Sequence, residues 1–362
     1  MSAQPTHDEI LKTFRQELFE EGILHEGDTL GTDDETLLRF LRARKFNLAQ
    51  SKTMITNAQE WRRTFKGIGI DKLYSDIDPF DYPEREAVFD CWPLWFHKTD
   101  KKGRPLNIHT LSGVDFPKLY KTCTPERHWD SVIVNAECLT REVLPASSRQ
   151  AGRNVGTVFV IVDLKDFSLG KFWQMKTLAR NSFQISQDFF PETMGQLAIV
   201  NAPSSFAFIW SVIKGWLSKE TAEKVDILGS DYKKVLLELV DADDLPSTLG
   251  GNCRCEGGCH LSSVGPWLDG RVGWGPKSKT RSGTTAQDVS VISDQHLEIP
   301  KGLTNATREE EQVPTDGYSN PAKANGNDAQ EDDPSRAEHR LQQEAIEPEA
   351  EVVVAAAVTA QA

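Results

Sequence analysis

VGTVFVIVD, residues 155–163, is nearly continuous in apolar, mostly β-branched side chains from Val158 to Val162. A strand with one wet face alternates polar and apolar residues, whereas a run without alternation belongs to a strand covered on both faces, as in parallel sheets. Outward from this run the period changes regularly. Downstream, a helix over about 171–188 carries Phe172, Met175, Leu178, Ala179 and Phe183. A strand at 197–200, a second at 227–228 and a helix through Leu236 and Leu237 follow. Upstream, 87–96 and 106–110 read as strands joined through the Asp100–Gly103 turn, with Pro93 placing the first at a sheet edge or a bulge. Thr124 and Pro125 open a helix with Trp129, Val132, Ile133, Ala136, Thr140 and Val143 on one face. This alternation predicts an α/β layer with a largely parallel core sheet.

Ahead of it the pattern is helical. Ile10, Leu11, Phe14, Leu18 and Phe19 recur at helical spacing up to Gly22, and 32–35 form a capping box before Leu37, Leu38, Phe40 and Leu41. Asn47 caps a third helix with Met54, Ala58, Trp61 and Phe65 on one side, ending at Gly67. Arg39, Arg42, Arg44 and Lys45 cluster between the second and third helices, and by themselves such charges form a solvated face.

NAPSSFAFIWSVIKGWLSKETAEKVDILG, residues 201–229, has two halves of opposite character. Phe206, Ala207, Phe208, Ile209, Trp210, Val212 and Ile213 make a helix apolar on nearly every side, which is buried or faces lipid. Pro203 suits its first position and Gly215 the break after it. Ser218 caps a second, polar helix bearing Glu220, Thr221, Glu223 and Lys224. The pair reads as an oily flap over lipid tails beside a charged shelf for a headgroup. Phe206, Phe208, Ile209, Trp210, Ile213 and Trp216 are the expected gating and membrane-contact residues.

The 362 residues carry a formal charge of −13. About −9 of this lies in 278–362, where roughly sixteen acidic side chains face seven basic ones. The rest is only mildly acidic, which argues against a nucleic-acid partner. The same tail is rich in Asp, Glu, Gln, Ala, Asn, Pro and Ser without periodicity and is expected to be disordered. The N-terminus shows no signal-peptide pattern, and no apolar run reaches the roughly 20 residues that span a bilayer. A cytosolic protein with reduced thiols is expected.

Enzyme signatures are scarce. There is no Walker A, G-x-S-x-G or H-E-x-x-H sequence. Gly67-Ile68-Gly69 lacks the third glycine and preceding strand of a dinucleotide loop. Asp163 and Asp166 end a buried strand, but no nucleophile or base is placed beside them, and a turn or cap role is expected. Cys253, Cys255, Cys259 and His260 offer four soft ligands at a spacing unlike that of zinc ribbons, so the expectation is a reduced loop and no metal.

The runs LLRFLRARKF (37–46), HKTDKKGRPL (97–106), LPASSRQAG (144–152), VDLK (162–165) and ISQDFFPETMG (185–195) resemble the CRAL-TRIO lipid-transfer family. IVNAP (199–203), ILGSDY (227–232), LPSTLGG (245–251) and GPW (265–267) extend the resemblance over about 8–270, toward the fungal phosphatidylinositol/phosphatidylcholine transfer branch. It implies an α/β fold in which an N-terminal helical unit (1–80) packs on a lipid-binding domain (81–252) with a mobile gating helix. An extension (253–277) and the acidic tail (278–362) follow. It further implies phosphatidylinositol recognition by Arg44, Glu192, Thr221 and Lys224, with Lys45 adjacent, which moves Arg44 from solvated face to site. Arg and Lys neutralise a phosphodiester, and Glu and Thr hydrogen-bond inositol hydroxyls. Where relatives that bind choline lipid carry two tyrosines and a Ser/Thr pair, this chain has Phe96, Asn107, Val158 and Val160. The second cargo is therefore expected to be another hydrophobic lipid, such as a sterol. By the same resemblance the protein is no enzyme and needs no cofactor beyond its phospholipid cargo. It is expected to act as a cytoplasmic monomer that visits Golgi or endosomal membranes transiently and presents phosphatidylinositol to a lipid kinase. A carrier or sensor of a small hydrophobic molecule is the rival reading. An enzyme using Asp163, Asp166 or the cysteines is a second.

Overall fold

The structure, a computed structural model, describes residues 5–281. Val158–Asp163, buried along its whole length, is the middle strand of a five-stranded sheet. The strands follow one another across it in chain order: β1 Leu94–Thr99, β2 Pro105–Thr110, β3 Val158–Asp163, β4 Met194–Val200 and β5 Val225–Ile227. Only the β1–β2 pair is antiparallel; β2–β3, β3–β4 and β4–β5 are parallel. The unbroken apolar run thus sits where two neighbours and two covered faces leave no water.

Three helices precede the sheet domain: α1 His7–Glu20, α2 Asp34–Ala43 and α3 Leu48–Thr64. Asp33, rather than Thr32, caps α2, its carboxylate accepting from the Thr36 amide at 3.0 Å. Asn47 caps α3 in the same way. Phe14, Leu18, Leu37, Phe40, Leu41, Met54, Ile55 and Ala58 form the core of this unit. It is joined to the sheet domain by a stacked contact of Trp61 on Phe189 (4.3 Å) and by the buried pair Arg62–Glu137.

Next come α4 Ile70–Asp76 and α5 Arg85–Cys91. The strand expected from residue 87 is therefore helical up to Cys91. Arg85, Val88, Phe89 and Trp92 are buried, a spacing of three and four that only a helix puts on one side. Pro93 ends that helix, and β1 starts behind it. Between β2 and β3 lie α6 Phe116–Thr122, α7 Pro125–Cys138 and α8 Leu144–Ala151, with a π-helical turn over Leu139–Val143. The long helix α9 Leu169–Phe189 joins β3 to β4. α10 Phe206–Lys214 and α11 Lys219–Ala222 join β4 to β5, and α12 Tyr232–Leu239 follows.

The chain does not loosen after Gly250 and Gly251 as its composition suggests. α13 Cys259–Ser262 and α14 Pro276–Arg281 are separated by an irregular stretch pinned by two groups. Trp267 is buried, its indole N–H donating to the Ser263 carbonyl at 2.9 Å, and Arg271 pairs with Glu142 and Asp78. One buried aromatic anchor and one half-buried cation fix a segment that has no periodicity to read. The expected disordered tail starts at residue 278, but 278–281 belong to α14; from residue 282 onward it lies outside the described residues. Among the described residues, no helix is long and apolar enough to cross a membrane.

Burial has a consequence for pH. His109 and His128 are fully enclosed, and burial pulls their pKa values down to about 3 and about 4. In the unfolded chain both titrate near 6.5, so below that pH the unfolded state binds more protons and stability falls. Above about 6.5 this contribution is fully present; on descent it is lost steadily until the folded pKa is reached. From pH 7 to pH 5 each histidine should remove roughly 2 kcal/mol. Urea midpoints at the two pH values check this, and equal midpoints would contradict it.

Candidate functional site

Between the sheet and α9 lies a cavity of about 60 Å³, lined only by apolar side chains. Val162, Leu197, Ile199 and Val225 form its floor, and Phe172, Met175, Ala179 and Phe183 of α9 form one wall. α10 is the roof, contributing Phe206, Ile209, Trp210 and Ile213. These four follow the i, i+3, i+4, i+7 spacing of one helical face. Pro203 lies in the turn before the helix, its carbonyl accepting from the Phe206 amide at 2.8 Å, so it is not the first helical residue.

The outer side of the roof is also apolar. Phe208 is 50% exposed, and its ring lies 6.2 Å from that of Trp173, itself 48% exposed on α9. Trp173 carries no sequence signal of its own; on α9 it is one apolar residue outside the buried stripe. Trp216, expected to face the membrane, instead turns inward, its ring 6.0 Å from Phe183 and 6.5 Å from Phe172. The two halves of residues 201–229 are thus roof and rim: α11, capped by Ser218, follows the roof directly.

The five headgroup candidates lie on three separate stretches, two of which are tied to α11 and its C-terminal end by ion pairs. Lys224 pairs with Glu192 at 2.8 Å, each side chain a quarter exposed. Lys45 reaches Glu220 of α11 at 3.0 Å, tying the α2–α3 turn to the rim. Arg44 makes no salt bridge among the described residues; its guanidinium donates to the Ala43 carbonyl at 3.0 Å. Its charge also acts on Asp188 near the end of α9, where burial raises the carboxyl pKa while a hydrogen bond from Gln184 and the nearby Arg44 hold it back. Thr221 is buried, and its hydroxyl accepts from Ser218 Oγ at 2.9 Å. The Lys224 carbonyl accepts from the amide of Leu197, a floor residue, so the charged rim and the cavity share one backbone hydrogen bond. Lys45 (φ 51°) and Glu192 (φ 54°) both occupy left-handed backbone, a strain that non-glycine residues carry where the surroundings demand it.

Phe96, Asn107, Val158 and Val160 are all buried. Register places Phe96, Asn107, Val160, Leu197 and Val225 in one row across the sheet, of which the last two line the cavity. Val158 shares their face, two residues from Val160. None of the four candidates lines the cavity itself; they continue its floor inward. His109, missed in the sequence, stands on the same face beside Asn107, with its Nε2 against Asn107 Oδ1. Asn107 Nδ2 and His109 Nδ1 are buried without a partner.

Asp163 accepts from Asn201 Nδ2 at 2.7 Å and from the Lys165 amide at 3.0 Å, a turn-fixing role. Cys253, Cys255 and Cys259 converge, but on His97 rather than on His260. His260 instead meets the Trp95 ring edge-on at 6.2 Å.

Comparison with known proteins agrees with this architecture. The CRAL/TRIO domain matches residues 90–251 and the CRAL/TRIO N-terminal domain residues 7–57. The chain is 45% identical over 241 residues to a protein named Sec14 cytosolic factor of Schizosaccharomyces pombe, covering 67% of this chain and 82% of that one. It is 40% identical over 253 residues to the SEC14 cytosolic factor of Kluyveromyces lactis, covering 68% and 82%. To the phosphatidylinositol/phosphatidylcholine transfer protein SFH4 of Arabidopsis thaliana it is 36% identical over 263 residues, covering 72% of this chain and 42% of that protein.

Proposed function

This chain belongs to the CRAL/TRIO family, and from that premise we propose that it is a phosphatidylinositol transfer protein and not an enzyme. The observation that supports the reading is the apolar cavity roofed by α10, followed directly in the chain by the polar α11, with the Lys45–Glu220 and Lys224–Glu192 pairs beside that helix. A cavity of about 60 Å³ is far below the roughly 300–1,000 Å³ of small-molecule pockets, so seating two acyl chains requires the roof to move.

The need for a roof follows from magnitude. Each methylene brought into water costs about 0.8 kcal/mol, so two acyl chains cost on the order of 20 kcal/mol. A dry pocket that opens only against the bilayer removes most of that barrier. In this reading the exposed pair Phe208 and Trp173 inserts at the interface, α10 swings, and one lipid exchanges for another. The headgroup enters where Lys224 and Glu192 now pair, exchanging their mutual contact for phosphate and inositol hydroxyls. Asn107 and His109, with one unpartnered polar nitrogen each, suit a second cargo with a single hydroxyl or carbonyl better than choline phosphate. At the level of the cell, the protein would act in the cytoplasm, visit Golgi membranes, supply phosphatidylinositol for phosphoinositide synthesis and support secretion.

Mass spectrometry of lipids co-purifying with the full chain, followed by transfer between vesicles, tests this. Phosphatidylinositol should be bound and moved, and phosphatidylcholine moved much more slowly. Absence of phosphatidylinositol from both measurements would refute the carrier reading; equal rates for the two lipids would refute the second-cargo reading. Phe208→Asp should leave the fold intact and lower transfer roughly tenfold, since burying a phenyl ring at the interface contributes about 1.5–3 kcal/mol. Unchanged transfer by that variant would remove α10 from membrane contact.

A further inference from the structure

On β1, remote in sequence from the three cysteines, His97 is completely buried with neither ring nitrogen hydrogen-bonded. Two unpartnered nitrogens on one enclosed imidazole are unfavourable unless something absent from the protein chain itself satisfies them. The one ligand atom that each of His97, Cys253, Cys255 and Cys259 can offer lies within 4.8 Å of the other three. We propose that these four residues form a structural zinc site that fastens the 253–259 segment to the edge strand β1.

The spacing of the sulfurs fits this chemistry. Cys253 and Cys255 Sγ are 3.7 Å apart. Two thiolates bound at about 2.3 Å to a tetrahedral ion stand about 3.8 Å from each other. A disulfide would need about 2.05 Å. Three sulfurs and one imidazole are a soft set that selects zinc over magnesium or calcium, and four protein ligands leave no open position, as in structural sites. Three thiolates around a divalent ion leave one net negative charge. Lys98, next to His97, interacts with Cys253 while also pairing with Asp244 at 3.1 Å, so a positive charge lies beside the thiolates within a small charge network.

The backbone is arranged to bring the ligands in. Cys253 is held by its amide on the Leu245 carbonyl (3.1 Å) and its carbonyl on the Ser247 amide (3.0 Å). Gly257 and Gly258 then take left-handed backbone (φ 73° and 97°), which turns the chain so that Cys259 Sγ comes within 3.5 Å of the Cys253 carbonyl. On the strand side, the register shifts between His97 and Thr99, and the Lys98 amide donates to Val264 at 2.6 Å. His260, adjacent to Cys259 in sequence, is left out because its ring lies against Trp95. The site is independent of the lipid reading. The chain that follows the anchored segment carries Trp267, which packs edge-on against Phe96 of β1 at 6.0 Å.

The test uses the full chain purified without chelator, or reconstituted with Zn²⁺ alone. Elemental analysis should find about one zinc per chain, and Co²⁺ in its place should give thiolate charge-transfer absorption of a tetrahedral site. His97→Ala and Cys255→Ser should each lower zinc retention on dialysis at least tenfold, while His260→Ala retains it. Less than about a tenth of a zinc per chain in the reconstituted wild type overturns the proposal. So does a disulfide among the three cysteines, found by thiol titration in denaturant, or full retention by His97→Ala with loss in His260→Ala. The cobalt spectrum of the wild type decides the matter if the variants fail to fold.

Discussion

Replacing Glu192 and Lys224 together by alanine is expected to lower phosphatidylinositol transfer at least 100-fold while leaving the protein folded. The two side chains satisfy each other at 2.8 Å. A pair as exposed as this one contributes about 0–1 kcal/mol to stability, so removing both halves has little to destabilise. In the complex the same two groups would face a phosphodiester and inositol hydroxyls inside a partly dry rim. Truncating a desolvated charged contact there costs about 2–5 kcal/mol, and each 1.4 kcal/mol is tenfold. The variant should therefore unfold at nearly the wild-type urea concentration yet fail to move the lipid. Vesicle transfer with labelled phosphatidylinositol measures the loss. Wild-type rates would sink the headgroup assignment, whatever became of the cavity below it.

The second large effect concerns the seam between the N-terminal helices and the sheet domain. Glu137 on α7 is inaccessible to water and accepts two hydrogen bonds from Arg62 on α3, one of them at 2.8 Å. Arg141 reaches the same carboxylate one helical turn on. Arg62 is itself 7% exposed. Glu137→Ala leaves Arg62 and Arg141 with only the exposed Asp71 as a counter-charge, and breaking a buried pair from one side costs about 3–5 kcal/mol. The folded-to-unfolded ratio should fall by two to three orders of magnitude, read as a lower midpoint in urea. Because the desolvation penalty falls on both partners, Arg62→Met combined with Glu137→Met should recover most of the loss. A single-variant change below about 1 kcal/mol would mean that the seam is wet.

These two predictions differ in how far the sequence alone could have supplied them. The headgroup residues lie in short motifs, and their resemblance to a family marks them before any coordinates. Arg62–Glu137 has no such mark. Arg62 sits in a run of charged residues at the end of α3, and Glu137 in a helix whose apolar face draws attention away from it. Only the packing of α3 on α7 encloses both. Likewise, α5 was hidden because the 87–96 stretch is apolar enough for a strand. The helix wins there because a three-and-four spacing buries Val88, Phe89 and Trp92 together.

Local signals determined what is local. The unbroken run at 158–163 specified a strand without a wet face, since burial on both sides leaves no room for alternation. Asn47, Thr124 and Ser218 each announced a helix start, because a cap's hydrogen bond spans only three residues. The apolar helix at 206–214 announced a buried or lipid-facing element; the fold made it a roof, with Ile209 inward and Phe208 exposed. Tertiary structure alone decided what depends on register and chain crossing. It joined Lys45 to Glu220 and Lys224 to Glu192, set Trp173 beside Phe208, and gave the three cysteines His97 in place of the neighbouring His260. Each of these contacts joins residues far apart in the chain or on different helices. Their meeting is fixed by which strands pair and at what offset, which no local periodicity encodes.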